Sequence, residues 1–223
     1  MPRLKPPYPT EKGFRDKPTL MHNVETACCV PPIVLRGGEW FKSCGETEAG
    51  SKLYCISGNV NQPGVYELPL GATLDQLVEA AGGYEGNPRA FSPGGASSGF
   101  LPMKFRDLPL DYKSLADVGS MLGSAGVVVL NDTVDLAEAV AWQQLFFERE
   151  SCGQCAPCRI GSRYVHRAAK KFIQLGDPAA FKYAKDVAWE MEEGSICGLG
   201  MVAAKPLESA MEHFPEAFEK RGS

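Results

Sequence analysis

Glu150-Ser151-Cys152-Gly153-Gln154-Cys155-Ala156-Pro157-Cys158-Arg159-Ile160-Gly161 sets three cysteines at every third position, and Ser195-Ile196-Cys197-Gly198-Leu199-Gly200 adds a fourth far downstream. This spacing lets one tight stretch of backbone aim three sulfurs at a common centre, with the amides between them free to hydrogen-bond cluster sulfides. A ferredoxin run would place its fourth cysteine close behind the third, followed by proline. Here Arg159, Ile160, Gly161 and Ser162 follow instead, so the fourth ligand must come from afar. Cys197 is the candidate, because its flanking glycines permit close backbone approach to a bulky group. Cys152, Cys155, Cys158 and Cys197 are therefore expected to hold one [4Fe-4S] cluster. Zinc is the rival ligand, but structural zinc sites usually draw on two separated pairs rather than three plus one. Unligated thiols are the plain alternative.

Downstream of Asn131-Asp132-Thr133, a cap signal, apolar residues recur every three to four positions. The spacing predicts helices over about 134–148 and 159–175, a third opened by Asp177-Pro178 and ended by Gly194, and a fourth opened by Pro206. Such helices with short connections imply an all-α four-helix bundle over 131–223 with the cluster at one end. Upstream the period is two. Leu53 to Gly58 and Val65 to Leu68 read as a hairpin around Pro63-Gly64, and Thr73 with Gln76 forms a capping box for a short helix stopped by Gly82-Gly83. Phe100 to Pro102 follows a glycine-rich turn, and Gly126 to Leu130 reads as a buried strand. Residues 49–130 are thus expected to form a small α+β unit. Residues 1–48 are rich in proline, glycine and charge, their only strand-like stretch being Pro32-Ile33-Val34-Leu35, and are expected to be linker-like.

Of the 223 residues, 44% are hydrophobic and 22% charged, as in an ordinary globular chain. Twenty-three basic against 27 acidic residues leave a net charge of −4, which provides no counter-field for phosphate and argues against nucleic-acid binding. The longest apolar run, Ala125 to Leu130, is far below the roughly 20 residues a bilayer requires, and Met1 to Pro7 lead into no apolar segment of a secretory signal. A cytoplasmic protein without direct membrane insertion is expected, in which eight cysteines serve as ligands or free thiols rather than bridges. Cys28, Cys29, Cys44 and Cys55 are read as buried small hydrophobes. Trp142 is read as packing the bundle with Phe146 and Phe147. Arg159, Arg163, Arg167 and Lys170 form a cationic stripe, read first as a solvated face and otherwise as charge that steadies the cluster and docks a partner. His166, within that stripe, is given no ligand role.

The cysteine motif closely resembles that of the NADH-oxidising flavoprotein subunit of respiratory complex I, which recurs in NAD-linked formate dehydrogenases and bidirectional hydrogenases. Lys5-Pro6-Pro7-Tyr8-Pro9 and Asn23-Val24-Glu25-Thr26 look like the tail of that family's flavin domain. Ser57-Gly58-Asn59-Val60 through Gly83 looks like its β-grasp module of the soluble-ligand-binding type, and residues 131–223 look like its cluster-bearing bundle. The resemblance implies an electron-transfer module in which FMN takes hydride from NADH and single electrons pass to the [4Fe-4S] cluster. It also implies partners: a flavin-domain segment or chain, a 2Fe-2S thioredoxin-like subunit and further electron-transfer subunits. Asn23 and Thr26 would line one wall of the FMN pocket, although His22 stands where the family has asparagine. The family's Gly-Arg-Gly-Gly-Ala-Gly type phosphate loop has no counterpart here; Gly94 to Gly99 carries no basic residue and reads as a turn. The chain alone is therefore expected neither to bind FMN nor to oxidise NADH. The other reading is a non-catalytic partner-binding module with a structural metal.

Overall fold

The computed structural model describes residues 6–220, so Arg3 and Lys5 lie outside the described residues. A helical turn, α1 (Pro9–Lys12), precedes α2 (Val24–Arg36) and α3 (Gly38–Ser43). Asn23 caps α2 by accepting the Glu25 N–H at 2.8 Å. The expected strand over 32–35 lies inside α2, beyond Pro31. A strand needs a neighbour for its backbone groups, and none of the strands in the sheet pairs with this segment; the helix started at Asn23 satisfies them locally. None of the three helices contains a buried residue.

The sheet comprises β1 (Ser51–Gly58), β2 (Gly64–Pro69), β3 (Pro88–Ser92), β4 (Leu101–Pro102) and β5 (Gly126–Asn131), in the order β2-β1-β5-β3-β4. β1 pairs antiparallel with β2 and parallel with β5, the mixed pairing that wraps one sheet around α4 (Leu74–Ala80) and α5 (Tyr112–Asp117). The capping box on α4 forms as the sequence predicts, with the Thr73 hydroxyl and the Gln76 amide serving each other's backbone N–H. Tyr54, Leu74, Leu77, Phe91, Leu101, Leu115, Val127 and Val129 fill the space between helices and sheet. The Tyr54 hydroxyl, buried there, donates to the Leu110 carbonyl at 2.9 Å, and burial pushes its phenol up to about 12.

Beyond Asn131 the chain is helical: α6 (Leu136–Glu150), α7 (Ala156–Leu175), α8 (Ala184–Gly194), α9 (Gly198–Val202) and α10 (Lys205–His213). Four of these correspond to the expected bundle helices. α7 opens at Ala156, ahead of the start that the periodicity suggests, because Pro157 in the first turn has its φ already set for a helix. The Asp177-Pro178 signal makes a 3-10 turn over Pro178–Phe181 before α8, and α9 is an added turn after Cys197. Val140, Phe147, Val165, Phe172, Met191, Leu207 and Phe214 make a second core, contiguous with Ala90 and Phe100 from the sheet side. The Phe100 N–H donates to Ser209 Oγ at 2.9 Å and Arg89 pairs with Glu216 at 2.8 Å, fixing the bundle against the sheet.

Two expectations fail on exposure. Trp142 is 71% exposed, because α6 turns Val140, Gln144 and Phe147 inward and Trp142 away. Phe146 is also exposed, and only Phe147 of the trio is buried. Cys28 and Cys55 are exposed, and Cys29 and Cys44 only half-buried. Cys55 alternates along β1 with inward-facing Tyr54 and Ile56, while α2, which carries Cys28 and Cys29, has no covering layer. Among the described residues no helix is long and apolar enough to cross a membrane.

Candidate metal centre

Two loops meet at one end of the bundle. The first, between α6 and α7, carries Cys152 and turns at Gly153, whose φ of +74° falls in the left-handed region that favours glycine. Its tightness is reinforced from both sides: Arg159 Nη1 donates to the Gly153 carbonyl at 2.7 Å, and the Gly153 N–H donates to Ser151 Oγ at 3.3 Å. Cys155 is the N-cap of α7, and Cys158 lies in its first turn. The second loop, after α8, carries Cys197 as the N-cap of α9. Close approach of the loops is possible because Gly200 has no side chain; a Cβ there would lie 2.9 Å from Cys158 Cβ and 2.6 Å from Ser195 Cβ.

The thiols differ in setting. Cys158 is buried, Cys155 is half-buried, and Cys152 and Cys197 are exposed. Burial pushes the Cys158 thiol up. The Ser151 hydroxyl, 3.3 Å away, opposes that, while charge on Cys155, Cys197 and Cys152 adds to it. Cys155 is held below its ordinary value chiefly by the backbone N–H of Ile196, against burial, with the Cys158 amide and the Ser195 hydroxyl assisting. The Ser195 hydroxyl is buried and meets no partner within strict hydrogen-bond geometry; it lies beside Cys155 without closing a full bond.

All four sequence-predicted cysteines therefore share one electrostatic neighbourhood. Yet no three His, Cys, Asp or Glu side chains among the described residues are placed to hold a single metal ion. Thiolates around one zinc all lie about 2.3 Å from the metal and crowd together. The Ile196 and Cys158 amides that donate to Cys155 are the kind of sulfur-directed N–H groups that suit a cluster bringing its own sulfides. The donor set also fits in charge, since the N-terminus of the long helix α7 presents partial positive charge to thiolates.

The other predicted residues lie elsewhere. Asn23 and Thr26 line a cavity of ≈ 560 Å³ between α2 and the sheet, and no residue of the cysteine loops lines it with them. The carboxamide oxygen of Asn23 is engaged in capping α2. His166 is buried, its Nδ1 2.5 Å from Glu148 Oε2, and ties α7 to α6. Arg159 braces the cysteine loop through Gly153. Ser151, Ser195 and the Ile196 amide do not stand out by residue type. Their adjacency to the cysteines is the available signal, but their roles depend on how the two loops meet.

Residues 138–221 match the NADH-ubiquinone oxidoreductase-F iron-sulfur binding region, and residues 53–101 match the SLBB domain. The F subunit of NADH-quinone oxidoreductase from Rickettsia typhi (strain ATCC VR-144 / Wilmington) is 39% identical over 227 residues, covering 99% of this chain and 54% of the relative. The F 2 subunit of NADH-quinone oxidoreductase from Rhizobium meliloti (strain 1021) is 40% identical over 222 residues, covering 97% and 53%. The chain spans about half the length of the curated relatives it matches. Among solved structures, NAD+-reducing [NiFe]-hydrogenase in the H2-reduced state contains a chain that superposes with a TM-score of 0.85 at 32% identity, covering 98% of this chain and 38% of that one.

Proposed function

We propose that this chain, in which residues 53–101 match the SLBB domain and residues 138–221 match the NADH-ubiquinone oxidoreductase-F iron-sulfur binding region, is a member of the NADH-quinone oxidoreductase F-subunit family and the one-electron relay portion of an NADH dehydrogenase type flavoprotein. Cys152, Cys155, Cys158 and Cys197 would hold one [4Fe-4S] cluster, which supplies reversible one-electron exchange when bound. The chain's own residues hold and tune the site. Gly153 and Arg159 fix the loop that presents Cys152 and Cys155, and Gly200 lets Cys197 close on Cys158. The Ile196 and Cys158 amides and the α7 N-terminus favour negative charge on sulfur. Convergence of the two loops on one four-thiol mouth is the main support for this reading. The division into a flavin-side segment (1–48), a β-grasp unit (49–130) and a cluster bundle (131–223) belongs to the same proposal.

FMN would be held by a domain outside these residues, with Asn23 and Thr26 contributing one wall. The exposure of α2 supports this: Val24, Val34 and Leu35 are each more than three-quarters exposed, an apolar face that such a domain would cover. Anaerobically prepared protein should hold about four iron and about four sulfide per chain and bleach reversibly with dithionite. Stoichiometric zinc without iron would overturn the assignment, and a cluster that cannot be reduced and reoxidised would make the metal structural. NADH alone should leave the spectrum unchanged. Tight one-to-one FMN binding by this chain would contradict the flavin-side reading.

A further inference from the structure

Arg159, Arg163, Arg167 and Lys171 recur every fourth residue along α7 and are all exposed. At about 1.5 Å per residue the row extends about 18 Å, starting directly after Cys158. It forms one wall of a groove of ≈ 600 Å³ whose opposite side is Ala179, Ala180, Lys182 and Tyr183. Five cations line this groove and no carboxylate does. Arg163, Arg167, Lys171 and Lys182 make no ion pair among the described residues. In a chain of net charge −4, this is a local concentration of self-repelling positive charge, which an anionic occupant would relieve beyond what solvent and salt screening do. Ile160 and Tyr183, 62% and 52% exposed, add apolar surface suited to anchoring a protein segment.

We propose that this groove docks an acidic helical segment of a partner protein, its carboxylates repeating about every fourth residue, beside the cysteine loops. The cations form a line rather than converging on a point, which matches a row of carboxylates better than one phosphate group. Electrostatic complementarity of this kind sets partner choice and association rate. The proposal rests on the relay reading for its purpose, since an occupant here lies next to the mouth through which electrons would leave, but the surface can be tested apart from the cluster.

The probe is a fluorescein-labelled, alanine-rich peptide of four helical turns with glutamate at every fourth position, titrated by anisotropy into the iron-loaded protein at low salt. Saturable one-to-one binding is expected. R163E/R167E should weaken it by at least about tenfold, whereas K42E/K113E, an equal charge change on α3 and α5, should alter it by less than about twofold. A peptide with the same glutamates clustered at one end should bind several-fold more weakly. Equal losses in both double variants, or equal affinity for the clustered peptide, would reduce the groove to general charge attraction and overturn the proposal. Tripolyphosphate binding tighter than the peptide, and lost in R163E/R167E, would overturn it in favour of a phosphate site. Iron content and reversible reduction are read in the same samples. A chain that binds the peptide but carries only zinc would refute the relay and leave the docking surface standing, whereas an intact redox cluster without peptide binding would do the reverse.

Discussion

A methyl group on Gly200 would lie 2.3 Å from the Ser195 hydroxyl as well as against Cys158 Cβ, so Gly200→Ala must push the Cys197 loop away from α7. Overpacking of this kind costs about 1–3 kcal/mol, and here the strain falls on the candidate ligands: iron content should drop along with Tm. Gly161→Ala is the comparison. Its Cβ would meet the Met191 side chain at 2.4 Å, which strains the α7–α8 contact but touches neither cysteine loop, so Tm should fall while iron is retained. Equal iron loss in both variants would mean the loops are not separately sensitive. Among the thiols, Cys197→Ser should damage iron binding as severely as Cys155→Ser, and Cys44→Ser should not; a full cluster in the Cys197 variant would show the fourth ligand to be misplaced. The four candidate ligands are legible in the sequence because ligand chemistry constrains residue type and spacing. The contribution of the Ile196 amide is not, because a backbone N–H carries no residue-type signal and its aim is set by the approach of a loop that only α7 and α8 bring back.

At the scale of elements, α2 is held by one side chain more than by packing. Glu25 accepts the Leu53 N–H at 2.8 Å and pairs with Lys52, joining a helix without buried residues to β1. Burial works against the ionised carboxyl, but the Leu53 amide and the Lys52 ammonium prevail and hold it below the usual carboxylate value. A depressed folded value means stabilisation that is fully present above the unfolded value and lost as pH falls through the folded one. α2 should therefore be protected at neutral pH and released progressively below about pH 4, and Glu25→Ala should release it at neutral pH, with a loss of about 1.5–3 kcal/mol. Hydrogen exchange of the α2 amides checks both; protection unchanged by acid or by the substitution would move the anchor elsewhere. Elements marked by local chemistry are readable, as Thr73 and Gln76 show for α4. The segment Pro88–Ser92 is not: it shows no alternation, its last three residues being buried in succession, and it is a strand only because β5 and β4 flank it.

For the whole molecule, two apolar cores meet where Phe100 enters the bundle. The bundle core is made by side chains remote from the cysteines, with the Phe172, Phe181 and Phe218 rings 5.3–5.9 Å apart. Chelation of iron should accordingly loosen the loops around Cys152–Cys155 and Ser195–Cys197 first and leave the helix amides protected. Collapse of the whole bundle on iron removal would instead make the metal a folding nucleus. The bundle is foreseeable at this scale because its most extensive contacts run between successive helices, α6 with α7 and α7 with α8. The strand order is not, since β5 inserts between β1 and β3 through pairings remote in sequence, Ile56 with Val127 and Phe91 with Val129.

Three of the thiols come from one short stretch, whereas Cys197 follows only after α7 and α8, and during synthesis that spacing becomes a delay. At about 5–20 residues per second, a ribosome takes about 2–8 s to travel from Cys158 to Cys197. For that interval Cys152, Cys155 and Cys158 exist without the fourth candidate ligand and without the Ile196 amide. On the relay reading, iron met before the second loop arrives would be held by three thiols alone, and the loop that carries Cys197 ahead of Gly198–Val202 would complete the set. A chain stalled before Cys197 should accept iron but surrender it readily to a chelator, whereas the finished chain should retain it.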